Sequence, residues 1–189
     1  GLAIAPVATF DPGQLVALAE TAMKATYVFS WLMIGLTLAI AALFVSTITA
    51  RKNHHLLLDV WTRLLTDDAR PVPFLVFAGS RGSLSDETMN RIQRDRRLAH
   101  RVIHLEGLAD AEIAWLYREC AFTLYPSFYE GWGLPVTESL DFGKVCIASD
   151  RTSLPEAGEG LAVLLDPTDL ALWTERVRDI WDDDESRHR

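Results

Sequence analysis

Glu130 and Glu138 stand eight positions apart in the stretch YPSFYEGWGLPVTESLDFGKVCIAS (residues 125–149), with Gly131, Gly133 and the Leu134-Pro135 step between them. The glycines remove side chains at alternate positions, so the backbone can take a positive φ and a ligand can approach it closely. Pro135 suits the first turn of a helix, where its missing N–H would have no intrahelical partner. The free N–H groups of that turn, with the helix dipole behind them, make a site for an anion. Lys52 brings a second positive group from another loop, which favours phosphate over a carboxylate, and two phosphates suggest a nucleotide. Carboxylates repel phosphates, so Glu130 and Glu138 must serve other partners. Ionised, they accept hydrogen bonds from hydroxyls, and a nucleotide sugar has hydroxyls on both sides of its diphosphate. This assigns ribose to Glu138 and the transferred sugar to Glu130. Either glutamate alone would read as part of a solvated helix face; the joint spacing with both glycines and Leu-Pro favours the functional reading.

Those residues need a scaffold. From residue 42 onward, short apolar runs alternate with longer helical patterns: ALFVSTI (42–48), PFLVFAG (73–79), RVIHLE (101–106), CAFTLYP (120–126), VCIAS (145–149) and LAVLLD (161–166) read as strands. In the first helical pattern Leu57, Val60, Trp61 and Leu64 share a face behind an N-cap at Asn53; in a later one Asp110 caps a stripe of Ile113, Leu116 and Tyr117. Strands that are apolar throughout and joined by helices predict a parallel sheet covered on both faces, a doubly wound, Rossmann-like α/β domain. With the common strand order 3-2-1-4-5-6, the ligand crevice lies between the first and fourth strands, at their carboxyl ends. Arg51-Lys52 and the glycine-rich bend then face each other across it.

The chain has 189 residues, 49% of them hydrophobic, with a formal charge of −8. It is therefore globular, and the acidic balance excludes a general nucleic-acid binder, which needs a basic face. Cys120 and Cys146 sit in apolar runs and are expected to be reduced packing residues. Neither has metal-ligand spacing, and Asp182 to Glu185 reads as a solvated polar tail, so no metal or cofactor is expected. The expected divisions are residues 1–41 as an atypical N-terminal segment, 42–181 as the α/β domain and 182–189 as the tail. Within the first, IAPVATFDPG resembles a strand entering a turn, followed by a helix. Residues 25–50 carry no charge. Once the first strand is removed, residues 25–41 are at the lower limit for a membrane span, so a membrane-inserted helix and a helix buried on the domain both stay open. No signal peptide is expected from the start of the chain.

The run PSFYEGWGLPVTESLDFGKVCIASDRTSLPE resembles the E-x7-E region of glycosyltransferase family 4, retaining enzymes of the two-domain GT-B fold. LFVSTITARKNHHLLLDVW, FLVFAGSRG and RVIHLEGLADAEIAWLYRECAFTLYPS are similar to the family as well, so the resemblance covers roughly residues 42–181. It implies the C-terminal, donor-binding domain, one half of a GT-B fold. Glu130 would contact the donor sugar, Lys52 the diphosphate, Glu138 the ribose, and the backbone of Gly131, Gly133 and Leu134 the phosphates and sugar. Leu105 and Glu106 would lie near the base. Many members carry an arginine where this chain has Thr47, so the resemblance implies either that Arg51 compensates or that phosphate affinity is weaker. The implied partners are a nucleoside diphosphate sugar, a glycan or lipid-linked saccharide acceptor, and an N-terminal acceptor domain that this chain lacks. The resemblance further implies bacterial polysaccharide biosynthesis in the cytoplasm, at the inner face of the membrane if residues 25–41 enter it.

Other chemistries fit less well. A glycosidase also uses two carboxylates, but it needs one protonated, and a helix N-terminus beside Lys52 favours ionisation of both. No G-x-G-x-x-G follows the first strand and no G-x-S-x-G occurs, which speaks against a dinucleotide oxidoreductase and an α/β-hydrolase. His54 and His55 read as surface or supporting residues and His104 as a satisfied core residue. Two readings remain: a retaining glycosyltransferase, with Glu130 and Lys52 as its catalytic groups, and a nucleotide-sugar-binding module without activity of its own.

Overall fold

The computed structural model describes residues 41–66, 71–83 and 85–183. The chain divides into two compact units, Gly1–Leu36 and Thr37–Arg189, and every described residue belongs to the second. The expectations for residues 1–40, including the segment starting at residue 25, and for the tail at 184–189 lie outside the described residues. Among the described residues, no helix is long and apolar enough to cross a membrane.

Six strands form one parallel sheet: β1 (Ala41–Val45), β2 (Phe74–Ala78), β3 (Val102–Leu105), β4 (Phe122–Tyr125), β5 (Val145–Ser149) and β6 (Val163–Leu165), in the order β3-β2-β1-β4-β5-β6. This is the expected order, and β1 lies at the switch point with Leu43 paired to Val76 on one side and to Thr123 on the other. The helices are α1 (His54–Leu64), α2 (Ser85–Arg94), α3 (Arg96–Ala99), α4 (Asp110–Glu119), α5 (Leu134–Asp141), α6 (Leu154–Ala157) and α7 (Leu170–Asp182).

Period-two alternation sends successive residues of each strand to opposite faces. Ala42, Phe44, Leu75 and Phe77 pack with Leu57, Val60, Trp61 and Leu64 of α1 and with Trp173, Val177 and Ile180 of α7. Ala41, Leu43, Val76 and Ala78 pack with Leu116 and Tyr117 of α4. Burying apolar area on both faces is what these uniformly apolar strands require. The two largest buried side chains keep their polar atoms satisfied, Trp61 Nε1 donating to the Pro73 carbonyl at 2.8 Å and Trp173 Nε1 to that of Asp166 at 2.9 Å. Both cysteines are buried and free, with burial pushing each thiol up to about 12.

Asn53 holds the N-cap position of α1, as expected, but in the left-handed conformation (φ 57°) and without a side-chain capping hydrogen bond. Asp110 is the first residue of α4, not its cap: Ala109 holds that place, and Glu112 reaches back to accept from the Ala109 N–H at 2.8 Å. The loops after β1 and β2 are pressed together, with Ile48 bridged to Arg81. A Cβ at Gly79 would lie 2.3 Å from the Ser46 carbonyl oxygen, so only glycine fits there.

Candidate functional site

The loops after β1 and β4 meet at the carboxyl end of the sheet. A short 3₁₀ turn, Ala50–Lys52, leads into α1 through the left-handed Asn53. The Asn53 amide donates to the carbonyls of Pro126, at 3.2 Å, and Pro167, at 3.0 Å, tying this turn to the loops after β4 and β6. The Phe128 N–H donates to the Arg51 carbonyl at 2.8 Å. Fixed in this way, Arg51 and Lys52 converge on one carboxylate. Lys52 Nζ lies 2.5 Å from Glu130 Oε1, and Arg51 Nη1 lies 2.9 Å from Oε2. The Ser127 hydroxyl also donates to Oε1, at 2.7 Å. Burial alone would push the Glu130 carboxyl up, but the bonds from Lys52, Ser127 and Arg51 outweigh it and hold the group below its usual value. Glu130 is therefore ionised at neutral pH.

The loop after β5 braces the same residue. The Glu130 N–H donates to Thr152 Oγ1 at 3.1 Å, the Ser153 hydroxyl donates to the Glu130 carbonyl at 3.1 Å, and Ser149 Oγ donates to the Ser127 carbonyl at 2.7 Å. Thr152 is held at φ 52°, an unusual conformation for a β-branched residue and one that tends to mark functional loops. Sequence reasoning missed these hydroxyls, although the run SDRTS at the end of a strand, level with the crevice, was the available signal.

Glu138 lies one turn into α5. The Tyr117 hydroxyl donates to its Oε2 at 3.0 Å and lies 3.1 Å from the Tyr125 hydroxyl. Burial raises both phenols, Tyr125 well above its ordinary value, so Tyr117 stays a protonated donor to the carboxylate. Lys52, Glu138, Tyr117, Leu134, Pro135 and Ser46 are among the residues lining a cavity of about 490 Å³. A second cavity, about 270 Å³, shares Val45, Ser46 and Ile113 with the first and extends toward Gly79, Ser80, Gly107 and Leu108. A larger one, about 910 Å³, opens between α1 and α2 among Arg91, Arg94 and Arg96, but none of the sequence-predicted site residues line it, and Arg91 is paired with Asp59.

The predicted residues thus fall into groups. Arg51, Lys52 and Glu130 are joined by ion pairs, and Lys52, Leu134 and Glu138 share a cavity. Leu105 and Glu106 lie at the end of β3, two strands from β1 and lining neither cavity; Glu106 is half-exposed and accepts from the Arg81 N–H at 2.9 Å. Of the two glycines of the bend, only Gly133 needs a positive φ, 98°, and a Cβ there would lie 2.6 Å from Leu154 Cδ2. Gly131 has neither constraint: no atom lies within 4 Å of where its Cβ would be. Pro135 occupies the first turn of α5, as expected, leaving free N–H groups at that terminus. Of the two places open to His54, at the surface or in support of the site, the first is excluded by its 1% exposure, whereas His104 is half-buried and has Nε2 2.9 Å from the Gly79 carbonyl oxygen. Beside Glu130, Phe128, Tyr129, Trp132 and Leu134 form an exposed apolar rim. Among the described residues, no group of three or more His, Cys, Asp or Glu could hold a metal ion.

The structure is a parallel doubly wound sheet whose switch-point loops bring together two cations, two carboxylates and a helix N-terminus, groups of the kind that can hold phosphates and hydroxyls. Residues 39–189 match the family described as glycosyl transferases group 1, and the chain belongs to that family. It is 31% identical over 146 residues to the O-antigen chain mannosyltransferase B of Escherichia coli, covering 77% of this chain and 38% of that protein. It is 29% identical over 150 residues to the D-inositol 3-phosphate glycosyltransferase of Corynebacterium efficiens, covering 77% of this chain and 35% of that one. The chain thus spans little more than a third of the length of these relatives. Among solved structures, TarM superposes with a TM-score of 0.68 at 15% identity, covering 79% of this chain and 30% of TarM. Anabaena Alr3699/HepE in complex with UDP gives 0.68 at 20% identity, covering 94% and 45%. These likenesses establish the fold, that of the Rossmann-like halves of GT-B glycosyltransferases.

Proposed function

We propose that this chain is the donor-binding part of a retaining glycosyltransferase that moves a hexose from a nucleoside diphosphate sugar to a glycan or lipid-linked saccharide. The observation that carries the reading is the meeting of Lys52, Arg51 and Glu130 at the switch point, beside a cavity that also contains Glu138. Lys52 and the N-terminus of α5 would stabilise charge developing on the departing diphosphate, so the role of a metal ion falls to protein groups. Glu138, aimed by Tyr117, would accept from ribose hydroxyls; Glu130 would accept from the sugar, which reacts on one face without a protein nucleophile. Relatives named mannosyltransferases make mannose the first sugar to test. The apolar rim of Tyr129 and Trp132 would face the acceptor, which the rest of a longer protein would hold, on the cytoplasmic side of the membrane.

Calorimetry with UDP, GDP, ADP and their sugar conjugates tests the reading. Saturable binding of one nucleotide, weakened by Glu138→Ala, is expected; a folded chain that binds none would overturn it. A second reading is a nucleotide-sugar-binding module without turnover. Assaying the chain with saccharide acceptors separates the two.

A further inference from the structure

His54 stands at the start of α1 with its ring against Phe44, 4.6 Å between centroids, and Phe77, 4.8 Å. Its Nε2 lies 3.2 Å from Ser46 Oγ, and its Nδ1, fully buried, has no hydrogen-bond partner among the described residues. Burial first, and then the charges of His55, Lys52 and His104, lower its pKa to about 3, so the ring is neutral at physiological pH. A neutral imidazole carries one N–H. On Nδ1 that proton would be buried without an acceptor; on Nε2 it reaches Ser46. An orphaned N–H is the costlier defect, so the proton belongs on Nε2 and only a lone pair is left unpartnered.

The consequence falls on Ser46, at the carboxyl end of β1. Its Oγ accepts from His54, which leaves its own proton to be donated elsewhere, and among the described residues no other hydrogen-bond partner of that hydroxyl is found. Ser46 lines the two adjoining cavities at this end of the sheet, sharing the one of about 490 Å³ with Lys52 and Glu138. We infer that the Ser46 hydroxyl binds a diphosphate oxygen of the nucleotide as a hydrogen-bond donor, and that His54 is the positioning residue that holds it in that role. This rests on the nucleotide-sugar reading above and adds to it an uncharged donor beside Lys52.

Two measurements test it. In protein with 15N-labelled histidine, two-bond 15N–1H correlations report the tautomer: a protonated Nε2 and a bare Nδ1 are expected for His54, and the opposite tautomer overturns the inference. Titrations of the intact chain and of Ser46→Ala with UDP, GDP, the matching nucleosides and inorganic pyrophosphate provide the second arm. The substitution should weaken the bound diphosphates by about tenfold, the effect of one charge-assisted hydrogen bond, and leave nucleoside affinity unchanged. Ser46→Thr, which keeps a hydroxyl, should recover most of the loss. Equal diphosphate affinity in Ser46→Ala overturns the inference and leaves the nucleotide reading standing, whereas no diphosphate binding by the unaltered chain overturns both. Should Ser46→Ala fail to fold by near-UV circular dichroism, the tautomer decides.

Discussion

Lys52 and Glu130, 78 positions apart in the chain, hold each other at 2.5 Å across the switch point of the sheet. In the proposed function the first is the cation for the diphosphate and the second the acceptor for the sugar, so the two groups meant for different parts of one ligand neutralise each other. Arg51 shares the carboxylate from the other side. On that reading a diphosphate entering beside Lys52 would compete with Glu130 for it, and binding would free the carboxylate to meet sugar hydroxyls. Donor binding and the arming of Glu130 would then be a single event.

Glu130→Gln separates these roles. Removing the negative charge leaves Lys52 and Arg51 free for phosphate, so the variant should bind GDP or UDP severalfold more tightly than the parent chain. Transfer by a complete enzyme carrying the same change should fall by about a hundredfold or more, the usual consequence of losing a group aimed at the transition state. Calorimetry and single-turnover assays read the two effects. Weaker nucleotide binding in the variant would place the nucleotide itself, not the sugar, on Glu130.

The Tyr117 hydroxyl is hydrogen-bonded to both Glu138 and the Tyr125 hydroxyl, so Tyr117→Phe has two consequences that can be told apart. It leaves the buried Tyr125 hydroxyl without its partner, at about 1–3 kcal/mol of stability. It also releases Glu138. Adding Tyr125→Phe should restore most of the stability, measured by urea denaturation, because no orphaned hydroxyl is left. Nucleotide affinity should stay low in the double variant. Full recovery of affinity would show that Tyr117 does not orient Glu138.

Gly131 and Gly133 make a contrasting pair. Gly133→Ala forces a Cβ into a left-handed residue and against Leu154, so it should lower stability by about 2 kcal/mol or more. Gly131→Ala meets no protein atom and should change stability by less than about 0.5 kcal/mol. If the open space above Gly131 is where the donor approaches the backbone, Gly131→Ala should weaken nucleotide-sugar binding by about tenfold, the cost of one intruding methyl group. Unchanged binding would move the donor away from this loop.

The contrast also shows how much the sequence revealed. The six uniformly apolar runs point to a parallel sheet buried on both faces, whereas its order follows only from adopting the common doubly wound arrangement, which the structure has. The run 42–48 overextends the carboxyl end of β1, which stops at Val45, because Ile48 is buried in a loop that is itself packed. Glu130, Glu138 and Lys52 were legible from residue type and spacing. The supports were not: Thr152 and Ser153 reach Glu130 from the loop after β5, and hydroxyl-to-backbone bonds leave no periodic trace. Surface and supporting roles stay open for His54 in the sequence, because residue type and spacing do not reveal the left-handed turn at Asn53 or the packing of its ring on Phe44.

That buried histidine sets an acid sensitivity distinct from that of Glu130. Its folded pKa, about 3, lies below the ordinary 6.5, so as pH falls below 6.5 the unfolded chain takes up a proton that the native state refuses. Stability should therefore drop by about 1.4 kcal/mol per pH unit in that window. Glu130, whose folded pKa lies below the usual 4.5, contributes fully above 4.5 and loses its contribution only as pH falls through the folded value. The groups charged or chargeable around the His54 ring, Lys52, His55 and His104, all oppose its protonation. His54→Gln, which can still donate to Ser46, should flatten the urea-denaturation profile between pH 6.5 and 5, while Glu130→Gln should leave that window unchanged and soften the fall below pH 4.5. A wild-type profile that is already flat from pH 7 to 5 would mean that His54 charges freely in the native state and is not held as the neutral partner of Ser46.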